Sequence, residues 1–505
     1  MRSSALARNA YQPAAGLVFG LALLAGCGSD AGSGGPGAAG APPATGGAAG
    51  GPVLGAGAGG ALNVAGSGAG GSLPAGGAGA GSDAGGASGG AGAGGAPDVG
   101  GAGGAGPAGG SGGGAVTCSE PIGKAASWND ITAAHAVPAW LKQAKLGIQI
   151  HWGLYAVPAY HNEWFFQHEY CNTSFSTWTS QNFPKTSPMG GPWGYKDFIA
   201  DFTAAKWDPN AWAALFKKSG AAWVQLSAQH HDRFALWDSA LTKWDAKDMG
   251  PKRDLVGDLA TAVRAQGLKF GVSNHIMYGD SFAYCGPSGT TPGNVGPNTP
   301  ASVSDLYDPR FADFYGPPTS ACGALAASTS CSPRKAFCDD WLARSTELVD
   351  KYKLDVEWFD WDGANVEGSP CWADKQAFVL DYYKKACSWG KEVTTAGKGG
   401  VFPGSDSAAN GANIMIHDFE TAGHAPAAGQ EPKSFWMVDD KIGNGSWGYV
   451  TGMTYRSASS IISQMDNYLS RGGVLVLNIS PMADGTIPQA QQDILIQIGK
   501  HLGVQ

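Results

Sequence analysis

Aromatic residues, Lys and Arg are all absent from residues 28–117, where Asp30, Asp83 and Asp98 are the only charged residues. The rest of this stretch is almost entirely Gly, Ala, Ser and Pro. Such a composition cannot bury enough apolar surface to offset the conformational entropy of the chain, which argues against a folded domain and predicts a flexible tether. A collagen triple helix is also disfavoured, because the glycines follow no strict three-residue period.

The N-terminal region lacks an apolar run long enough to span a bilayer as a stable helix. Arg2 and Arg8 precede a short apolar run at residues 14–25, which is typical of a secretory signal. The ending LAGC at residues 24–27 resembles a bacterial lipobox, in which the Cys is acylated. We therefore expect an exported protein that is anchored to the cell envelope only through lipid on Cys27. The alternative is an ordinary signal peptide in which Cys27 is incidental.

No Cys-x-x-Cys pair occurs in the sequence, which argues against a structural zinc site. Nine cysteines are present, and Cys27 is one of them. The others form an even set in a chain that we expect to be exported, which favours up to four disulfides and leaves their pairing open. They are Cys118, Cys171, Cys285, Cys322, Cys331, Cys338, Cys371 and Cys387. We expect disulfides within the loop-rich stretch between Cys285 and Cys338.

Residues 118–505 differ sharply from the tether, because they contain all 18 tryptophans and nearly all the charge. The formal net charge of the chain is −8, which argues against nucleic acid as a partner. Apolar or β-branched runs predict strands at 146–151, 222–228, 268–274, 354–360, 392–396, 413–419, 434–438 and 473–479. Amphipathic stretches predict helices at 210–219, 254–266, 334–352, 374–388, 458–470 and 489–502. This alternation predicts an α/β protein built as a (β/α)₈ TIM-like barrel.

The active site of such a barrel lies at the C-terminal ends of its strands. Polar and ionisable residues end or follow the predicted strands: His151, His230, His231, His275, Asp360, Lys398 and Glu420. This chemistry at so many strand ends is hard to assign to chance, so the pattern indicates an enzyme. We expect three regions in the chain: a signal peptide at 1–26, the tether at 27–117 and a catalytic domain at 118–505.

Six ordered motifs resemble glycoside hydrolase family 29, the α-L-fucosidases. They are AKLGIQIHWGLYAVPAYHNEWF at 144–165, QHHDRFALWDS at 229–239, GPKRDLVGDLATAVRAQGLKFGVSNH at 250–275, ELVDKYKLDVEWFDWDG at 347–363, SWGY at 446–449 and RGGVLVLNISPMADGTIP at 471–488. The resemblance runs from about residue 140 to 502. It implies retaining, exo-acting hydrolysis of terminal α-L-fucosides on glycans, with no cofactor. Many relatives continue into a β-sandwich, whereas here we expect a single catalytic domain without one.

The resemblance assigns the nucleophile to a Trp-x-Asp motif at the end of the fourth strand, which makes Asp360 the nucleophile. Carboxylate attack on the anomeric carbon forms a glycosyl–enzyme intermediate that water hydrolyses with retention. Asp362 is the nearest rival, but it lies past the strand and lacks the preceding Trp-x. By two-residue alternation Asp360 shares a face with Trp358, whereas Glu357 faces the helices.

The general acid/base must be a second carboxylate near the nucleophile. Some family members carry Trp-Glu before the Ser-Trp-Gly-Tyr motif, but here the corresponding pair is Trp436-Met437. Glu420, after the sixth strand, resembles a Phe-Glu position in a related subgroup, and we favour it. Asp418 and Glu431 are the alternatives.

The resemblance also implies the sugar contacts. Hydroxyl contacts fall to His151, Glu163, Trp164, His230 and His231, and aromatic packing falls to Trp358 and Trp447. His275 stands where relatives carry Tyr or Ser motifs, and Lys398 stands where many carry an Arg near the nucleophile. A Lys or an Arg at that position, next to the nucleophile, would lower the pKa of the nucleophile.

A metal site is not predicted, because adjacent residues such as His230 and His231 point to opposite faces of a strand. Two other functions are alternatives to an α-L-fucosidase. One is a related exo-glycosidase such as an α-L-galactosidase, whose substrate adds only a hydroxyl at C6. The other is a lipid-anchored carbohydrate-binding protein with a degenerate site, which the presence of both predicted carboxylates argues against. The long loop at 278–333 is expected over the mouth of the barrel, where it would set leaving-group preference.

Overall fold

A computed structural model describes residues 122, 124–276, 305–316, 335–360, 371–399, 401–402 and 414–504. The predicted signal peptide, Cys27 and the tether lie outside the described residues. So do Asp362 and most of the predicted loop at 278–333, of which 305–316 is described.

Eight parallel strands close a barrel in sequence order. They are β1 (Leu146–Ile150), β2 (Trp223–Gln229), β3 (Lys269–Asn274), β4 (Val356–Phe359), β5 (Thr394–Lys398), β6 (Met415–Asp418), β7 (Trp436–Lys441) and β8 (Gly473–Ile479). Closure is direct, because β1 pairs with both β2 and β8. Nearly every strand residue is buried, as expected when side chains fill the barrel on one face and meet helices on the other. The predicted (β/α)₈ barrel is confirmed.

Several of the helices begin at a capping residue. They are α1 (Trp128–Ala134), α2 (Ala139–Lys142), α3 (Phe165–Cys171), α4 (Thr173–Asn182), α5 (Pro209–Lys218), α6 (Leu255–Ala265), α7 (Ala312–Tyr315), α8 (Lys335–Tyr352), α9 (Trp372–Ser388), α10 (Thr421–His424), α11 (Ala458–Ser470) and α12 (Gln489–His501). Asp208 caps α5, where Pro209 is the first residue, and Asp254 caps α6. None of the described helices has both the length and the apolar character needed to cross a membrane.

The lower part of the barrel lumen is closed by apolar side chains. Leu141 of α2 packs in one buried cluster with Trp223, Val356 and Val474, which lie at the N-terminal ends of β2, β4 and β8. Gly147 makes room for this layer, because a Cβ there would lie 2.3 Å from the indole of Trp223. The lumen is thus a packed core, which also holds a buried amide pair in which Gln225 Nε2 donates to Gln149 Oε1 over 2.5 Å.

The described part of the long third βα excursion is held by a buried polar cluster. Lys196 Nζ lies 2.8 Å from Asp305 Oδ2, and both side chains are fully buried. Tyr170 donates its hydroxyl to Asp305 Oδ1 over 3.0 Å, and Tyr315 also hydrogen-bonds to Asp305. Residues 305–316 are therefore anchored to α3 and to the 3₁₀ helix at Tyr195–Ala200.

A disulfide joins Cys338 in the first turn of α8 to Cys371, which directly precedes α9. Both cysteines are buried against Phe337. Cys171 and Cys387 are disulfide-bonded as well. The expectation that this chain contains disulfides is confirmed, but Cys338 pairs outside the stretch where we expected them. Cys118, Cys285, Cys322 and Cys331 lie outside the described residues.

We expect the double substitution Cys338→Ser/Cys371→Ser to lower the free energy of unfolding by about 3–4 kcal/mol. The bond closes a loop with a sequence separation of 33 residues, and the entropy of that loop returns to the unfolded chain when the bond is removed. Denaturant unfolding of the two proteins, under oxidising conditions that leave the other disulfides intact, measures the difference. Equal midpoints and slopes would rule out a stabilising role for this bond.

Candidate active site

The mouth of the barrel is lined by residues two positions beyond the apolar lumen. Trp358, Ala396, Ile416, Met437 and Val476 all belong to the lumen cluster. By strand alternation the next inward positions are Asp360, Lys398, Asp418, Asp439 and Asn478. A continuous ring of polar side chains therefore lies directly above the apolar core.

Asp360 belongs to this ring and is buried. Its Oδ1 is 2.8 Å from Lys398 Nζ, and its Oδ2 is 3.5 Å from His275 Nδ1 and 3.6 Å from His231 Nε2. Burial alone would raise the pKa of Asp360, but Lys398, His275 and His231 together hold that pKa well below its usual range. Asp360 is therefore an ionised carboxylate at any working pH, as a nucleophile requires.

Lys398 also contacts Glu420, since its Nζ lies 3.0 Å from Glu420 Oε1. One ammonium thus joins the two carboxylates that the sequence predicts to be catalytic. Their contacting oxygens can be no farther apart than the sum of the two distances, about 6 Å. This upper bound on the two contacting oxygens lies closer to the about 5–5.5 Å spacing of retaining glycosidases than to the roughly 6.5–9.5 Å of inverting ones.

The backbone at Glu420 is strained. Glu420 and Thr421 have φ values of 43° and 57°, a region that residues with a Cβ rarely occupy. The N–H of Glu420 donates to Asp418 Oδ1 over 3.0 Å, which helps to hold this conformation. Consecutive strained residues persist only where the surroundings enforce them, and they concentrate at functional sites.

The two alternative acid/base residues are engaged elsewhere. Asp418 is buried and accepts hydrogen bonds from Trp358 Nε1 at 2.7 Å and from the N–H groups of Glu420 and Asp439. Glu431 pairs with Arg471 at 2.5 Å, and this hydrogen bond lowers the pKa of Glu431. A general acid needs a carboxyl group that can carry a proton near the leaving oxygen, and Glu420 is the better placed of the three.

Four buried histidines surround the remaining space beside Asp360: His151, His230, His231 and His275. Burial lowers the pKa of His151 and His230 well below the ordinary value and lowers that of His231 to about 3. These three imidazoles are therefore neutral at neutral pH, and each has one donor and one acceptor nitrogen. Neutral rings of this kind suit sugar hydroxyls, which both donate and accept.

His230 and His231 do not point to opposite faces, as strand alternation predicted. The ring of His230 lies 4.7 Å from that of His275, and His231 reaches Asp360, so both line the mouth. The physical reason is that β2 ends at Gln229 after a register shift, and alternation no longer applies beyond it.

The ring nitrogens of His151, His230 and His275 come within 4.8 Å of one another, so these three could in principle hold a metal ion. The same rings face the predicted nucleophile, and His151 donates its Nδ1 proton to Asn478 Oδ1 over 2.6 Å. That hydrogen bond directs the acceptor Nε2 away from Asn478. The three rings suit the binding of sugar hydroxyls.

Glu163 positions a neighbouring loop. Its Oε2 accepts hydrogen bonds from Ser446 Oγ at 3.0 Å, from Trp447 N at 2.9 Å and from Gly448 N at 3.4 Å. The indole of Trp447 is thereby held 5.4 Å from the ring of His151. A carboxylate predicted to contact substrate is thus also the anchor of the Ser-Trp-Gly-Tyr motif.

The other predicted aromatic residues differ in exposure. Trp164 is half-buried and lies edge-on to His231 at 5.5 Å. Trp358 is fully buried beneath the site, with its ring 5.2 Å from that of His275. All eleven residues predicted for catalysis or sugar binding therefore gather at one mouth.

Sequence reasoning missed two residues of this site, Asn478 and Asp439. Asn478 orients His151 and donates from Nδ2 to the carbonyl of Trp447 over 2.8 Å. Asp439 is buried beside Asp418 and has a raised pKa, chiefly because of burial. The sequence signal that could have identified Asn478 and Asp439 is their spacing. Each is a polar residue two positions after an apolar residue that faces the barrel lumen on the same strand.

A closed (β/α)₈ barrel with paired carboxylates and neutral imidazoles at its mouth is the architecture of a glycoside hydrolase. The family profile for alpha-L-fucosidase matches residues 119–505, and the chain belongs to that family. The resemblance seen in the sequence motifs is thereby confirmed.

Among curated relatives, rat (Rattus norvegicus) plasma alpha-L-fucosidase is 30% identical over 387 residues, which cover 73% of this chain and 69% of that protein. Human plasma alpha-L-fucosidase is 29% identical and covers 75% of this chain and 70% of its own. Among solved structures, Thermotoga maritima alpha-fucosidase has a TM-score of 0.53 at 28% identity, covering 75% of this chain and 76% of that one. The same enzyme in complex with fucose has a TM-score of 0.52 at 29% identity, with the same shares covered.

Replacing Lys398 by Met should shift the acid limb of the kcat/KM profile to higher pH, because a nearby opposite charge favours the ionised form of a carboxyl group. Without Lys398, burial is the largest remaining influence and raises the pKa of Asp360, so the carboxylate protonates as the pH falls. The pH profile of aryl glycoside hydrolysis measures this shift.

The matched control is Lys391→Met, which removes a lysine paired with Asp355 at 3.0 Å on the opposite side of the barrel from the mouth. We expect that variant to keep the acid limb of the native enzyme. If both variants kept it, Lys398 would have no electrostatic role at Asp360.

Proposed function

We propose that this protein is a retaining, exo-acting α-L-fucosidase that releases terminal α-L-fucose from glycans through a covalent fucosyl–Asp360 intermediate. The observation that carries the proposal is the contact of Lys398 with both Asp360 and Glu420, which keeps the two carboxylates within about 6 Å. A spacing this short favours direct attack on the sugar over the placement of a water molecule between carboxylate and anomeric carbon, which inversion needs.

In the first half-reaction a carboxylate oxygen of Asp360 attacks the anomeric carbon while Glu420 gives its proton to the leaving oxygen. The glycosidic C–O bond breaks, and an ester bond to Asp360 replaces it. In the second half-reaction Glu420 takes a proton from water, and the water oxygen displaces Asp360 from the same carbon. Two inversions give net retention, and Asp360 and Glu420 return to their starting states.

The imidazoles of His151, His230 and His275 account for recognition of a sugar rich in hydroxyls, because they are buried beside Asp360. Trp447, held over His151 by Glu163, offers an apolar surface for a methyl group such as that at C5 of a deoxyhexose. The solved Thermotoga maritima relative with fucose bound supports fucose as the sugar.

The direct test is hydrolysis of an aryl α-L-fucoside by the full chain, followed by proton NMR in the first minutes. We expect α-L-fucose to appear first and the β anomer to form later by mutarotation. Inert protein would end the proposal, and β-L-fucose as the first product would replace retention by inversion. The matching α-L-galactoside serves as the specificity control, and faster turnover of it would assign the enzyme to that sugar.

We further propose that the enzyme is exported and attached to the cell envelope through lipid on Cys27. Support comes from the basic start, the short apolar run and the LAGC ending at residues 24–27. We expect Cys27→Ser to move activity from the membrane fraction to the soluble fraction of bacterial cells. A native chain that is already soluble and unmodified would leave only an ordinary signal peptide.

A further inference from the structure

Four carboxyl groups gather around a single lysine at the mouth of the barrel. Lys398 contacts Asp360 and Glu420, and no ion pair of Asp418 or Asp439 is found among the described residues. Asp418 and Asp439 are only 2% and 1% exposed. If all four acids were ionised, two of the charges would be buried without a cation, which is very costly.

Asp418 and Asp439 are close neighbours, because β6 pairs with β7 and the charge of Asp418 raises the pKa of Asp439. The backbone N–H of Asp439 also donates to Asp418 Oδ1 over 2.8 Å. Two adjacent carboxylates in a buried site cannot both stay ionised, so one of them must keep a proton at neutral pH.

The hydrogen bonds around Asp418 indicate that it carries the negative charge. Its Oδ1 accepts two backbone N–H groups, from Glu420 and Asp439, and its Oδ2 accepts the indole N–H of Trp358. Three donors favour a carboxylate over a carboxylic acid. Asp439 has the opposite surroundings, because its Oδ1 has no hydrogen-bond partner among the residues that the structure describes.

We propose that Asp439 is a protonated positioning residue, which donates a hydrogen bond from its carboxyl O–H to the Asp418 carboxylate so that Asp418 can hold Glu420 in the strained conformation needed for acid/base catalysis. This inference rests on the proposed function of Glu420 and extends it to a residue that touches no substrate. Met437, where some relatives carry Glu, faces the lumen below Asp439 on the same side of β7. The strand therefore keeps an acid at its mouth, one inward position farther along.

The charged and titratable groups around Asp439 agree with this arrangement. Burial raises the pKa of Asp439 well above its usual range, and the charges of Asp418 and Glu420 raise it further while Lys398 lowers it. On the outer face of β7, Asp440 pairs with Arg456 at 3.0 Å.

A change at Asp439 can affect Glu420, the proposed catalytic acid, because two hydrogen bonds link these residues through Asp418. Asp439 fixes one side of Asp418, and Asp418 accepts the N–H of Glu420 at 3.0 Å, where the φ of Glu420 is 43°. Without a side-chain donor at position 439, Asp418 keeps only its hydrogen bonds from Trp358 and from the backbone N–H groups of Glu420 and Asp439. Its hold on Glu420 is then weaker, and the strain at Glu420 can relax. A shift of about 1 Å in a catalytic group can cost about 100-fold in rate.

Two substitutions at position 439 distinguish a protonated acid from an ionised one. Asp439→Asn keeps a neutral donor to Asp418, so we expect kcat within about threefold of the native enzyme and the same pH profile. Asp439→Leu has no donor, so we expect kcat to fall by about 10- to 100-fold. Asp418→Asn should resemble the Leu variant, because one amide oxygen cannot replace both carboxylate oxygens as acceptors.

Infrared difference spectroscopy tests the proton itself. The native enzyme minus Asp439→Asn should show the C=O band of a protonated carboxylic acid at neutral pH. The matched control is Asp440→Asn on the same strand, for which no such band and no change in the pH profile are expected.

The proposal is overturned if the band is absent, or if Asp439→Asn loses activity as severely as Asp439→Leu. An acid limb that moves by about one unit in Asp439→Asn would also overturn it, because the native residue would then be charged. Should the Leu variant fail to fold, the Asn variant and the infrared band still decide. Failure of the proposed function is distinguishable, since it would appear as inactivity of the native enzyme, which the infrared result does not require.

Discussion

Asp360→Ala is expected to lower kcat/KM for any α-L-fucoside by at least about 10⁴-fold, the order lost when a covalent nucleophile is removed. The carboxylate lies 2.8 Å from Lys398 and faces two imidazoles, so its removal leaves no carboxylate at the position of attack. The fold should survive, because Ala fits at this position at the mouth and removes a buried charge. Initial rates on an aryl fucoside, with circular dichroism to check folding, measure the loss.

Azide supplies the decisive second measurement on the same variant. A small anion can enter the space left by the carboxylate and attack the anomeric carbon once, which should restore turnover and yield β-L-fucosyl azide. Rescue without that product would remove Asp360 as the nucleophile.

Glu357→Gln is the matched control for Asp360→Ala. Glu357 lies on the same strand but faces the helices, and burial raises its pKa well above the usual range. It is therefore a neutral acid that Gln imitates, and we expect activity close to that of the native enzyme. A loss of activity comparable to that of Asp360→Ala would mean that substitutions on β4 disturb the structure of the strand. The loss in Asp360→Ala could then not be assigned to the missing nucleophile.

The second large effect is expected for Glu420→Ala, and it should depend on the leaving group. For fucosides in which the leaving group is a hydroxyl of another sugar, the rate should fall by about 10²–10⁴-fold, which is the usual contribution of general acid catalysis. For aryl fucosides with acidic phenols the first step needs little protonation, so the fall should be much smaller. A series of aryl fucosides of increasing phenol pKa should give a steeper dependence in the variant than in the native enzyme.

Glu431→Ala is the control for that series. Its carboxylate pairs with Arg471 at 2.5 Å, so its loss should affect stability more than the dependence on the leaving group. If Glu431→Ala steepened the dependence and Glu420→Ala did not, the two roles would be exchanged.

Much of the fold could be predicted from local patterns. Each of the eight predicted strands overlaps an observed strand, and the helix expected at 254–266 is observed at Leu255–Ala265. Strand alternation placed Trp358 and Asp360 on the lumen side and Glu357 on the helix side. These predictions succeeded because burial on both faces of a parallel strand leaves a strong pattern within a few residues.

The failures share a physical cause, which is contact between residues far apart in the sequence. Nothing near Glu163 indicates that its carboxylate would hold the backbone of Trp447, and nothing near Cys338 indicates Cys371 as its partner. His230 and His231 both face the mouth because the register shift at the end of β2 depends on pairing with β3.

The sequence by itself determined the barrel, the family and the identity of the strand that ends at Asp360, since these depend on periodicity and on motifs of adjacent residues. Only the tertiary structure decided which groups surround that carboxylate. Lys398 is the last residue of β5, whereas Asp360 follows β4 and Glu420 follows β6. The ammonium of Lys398 contacts both carboxylates because these neighbouring strands end at the same mouth of the closed barrel. The buried pair of Asp418 and Asp439 likewise depends on two neighbouring strands, because the charge on one residue decides whether the other keeps its proton.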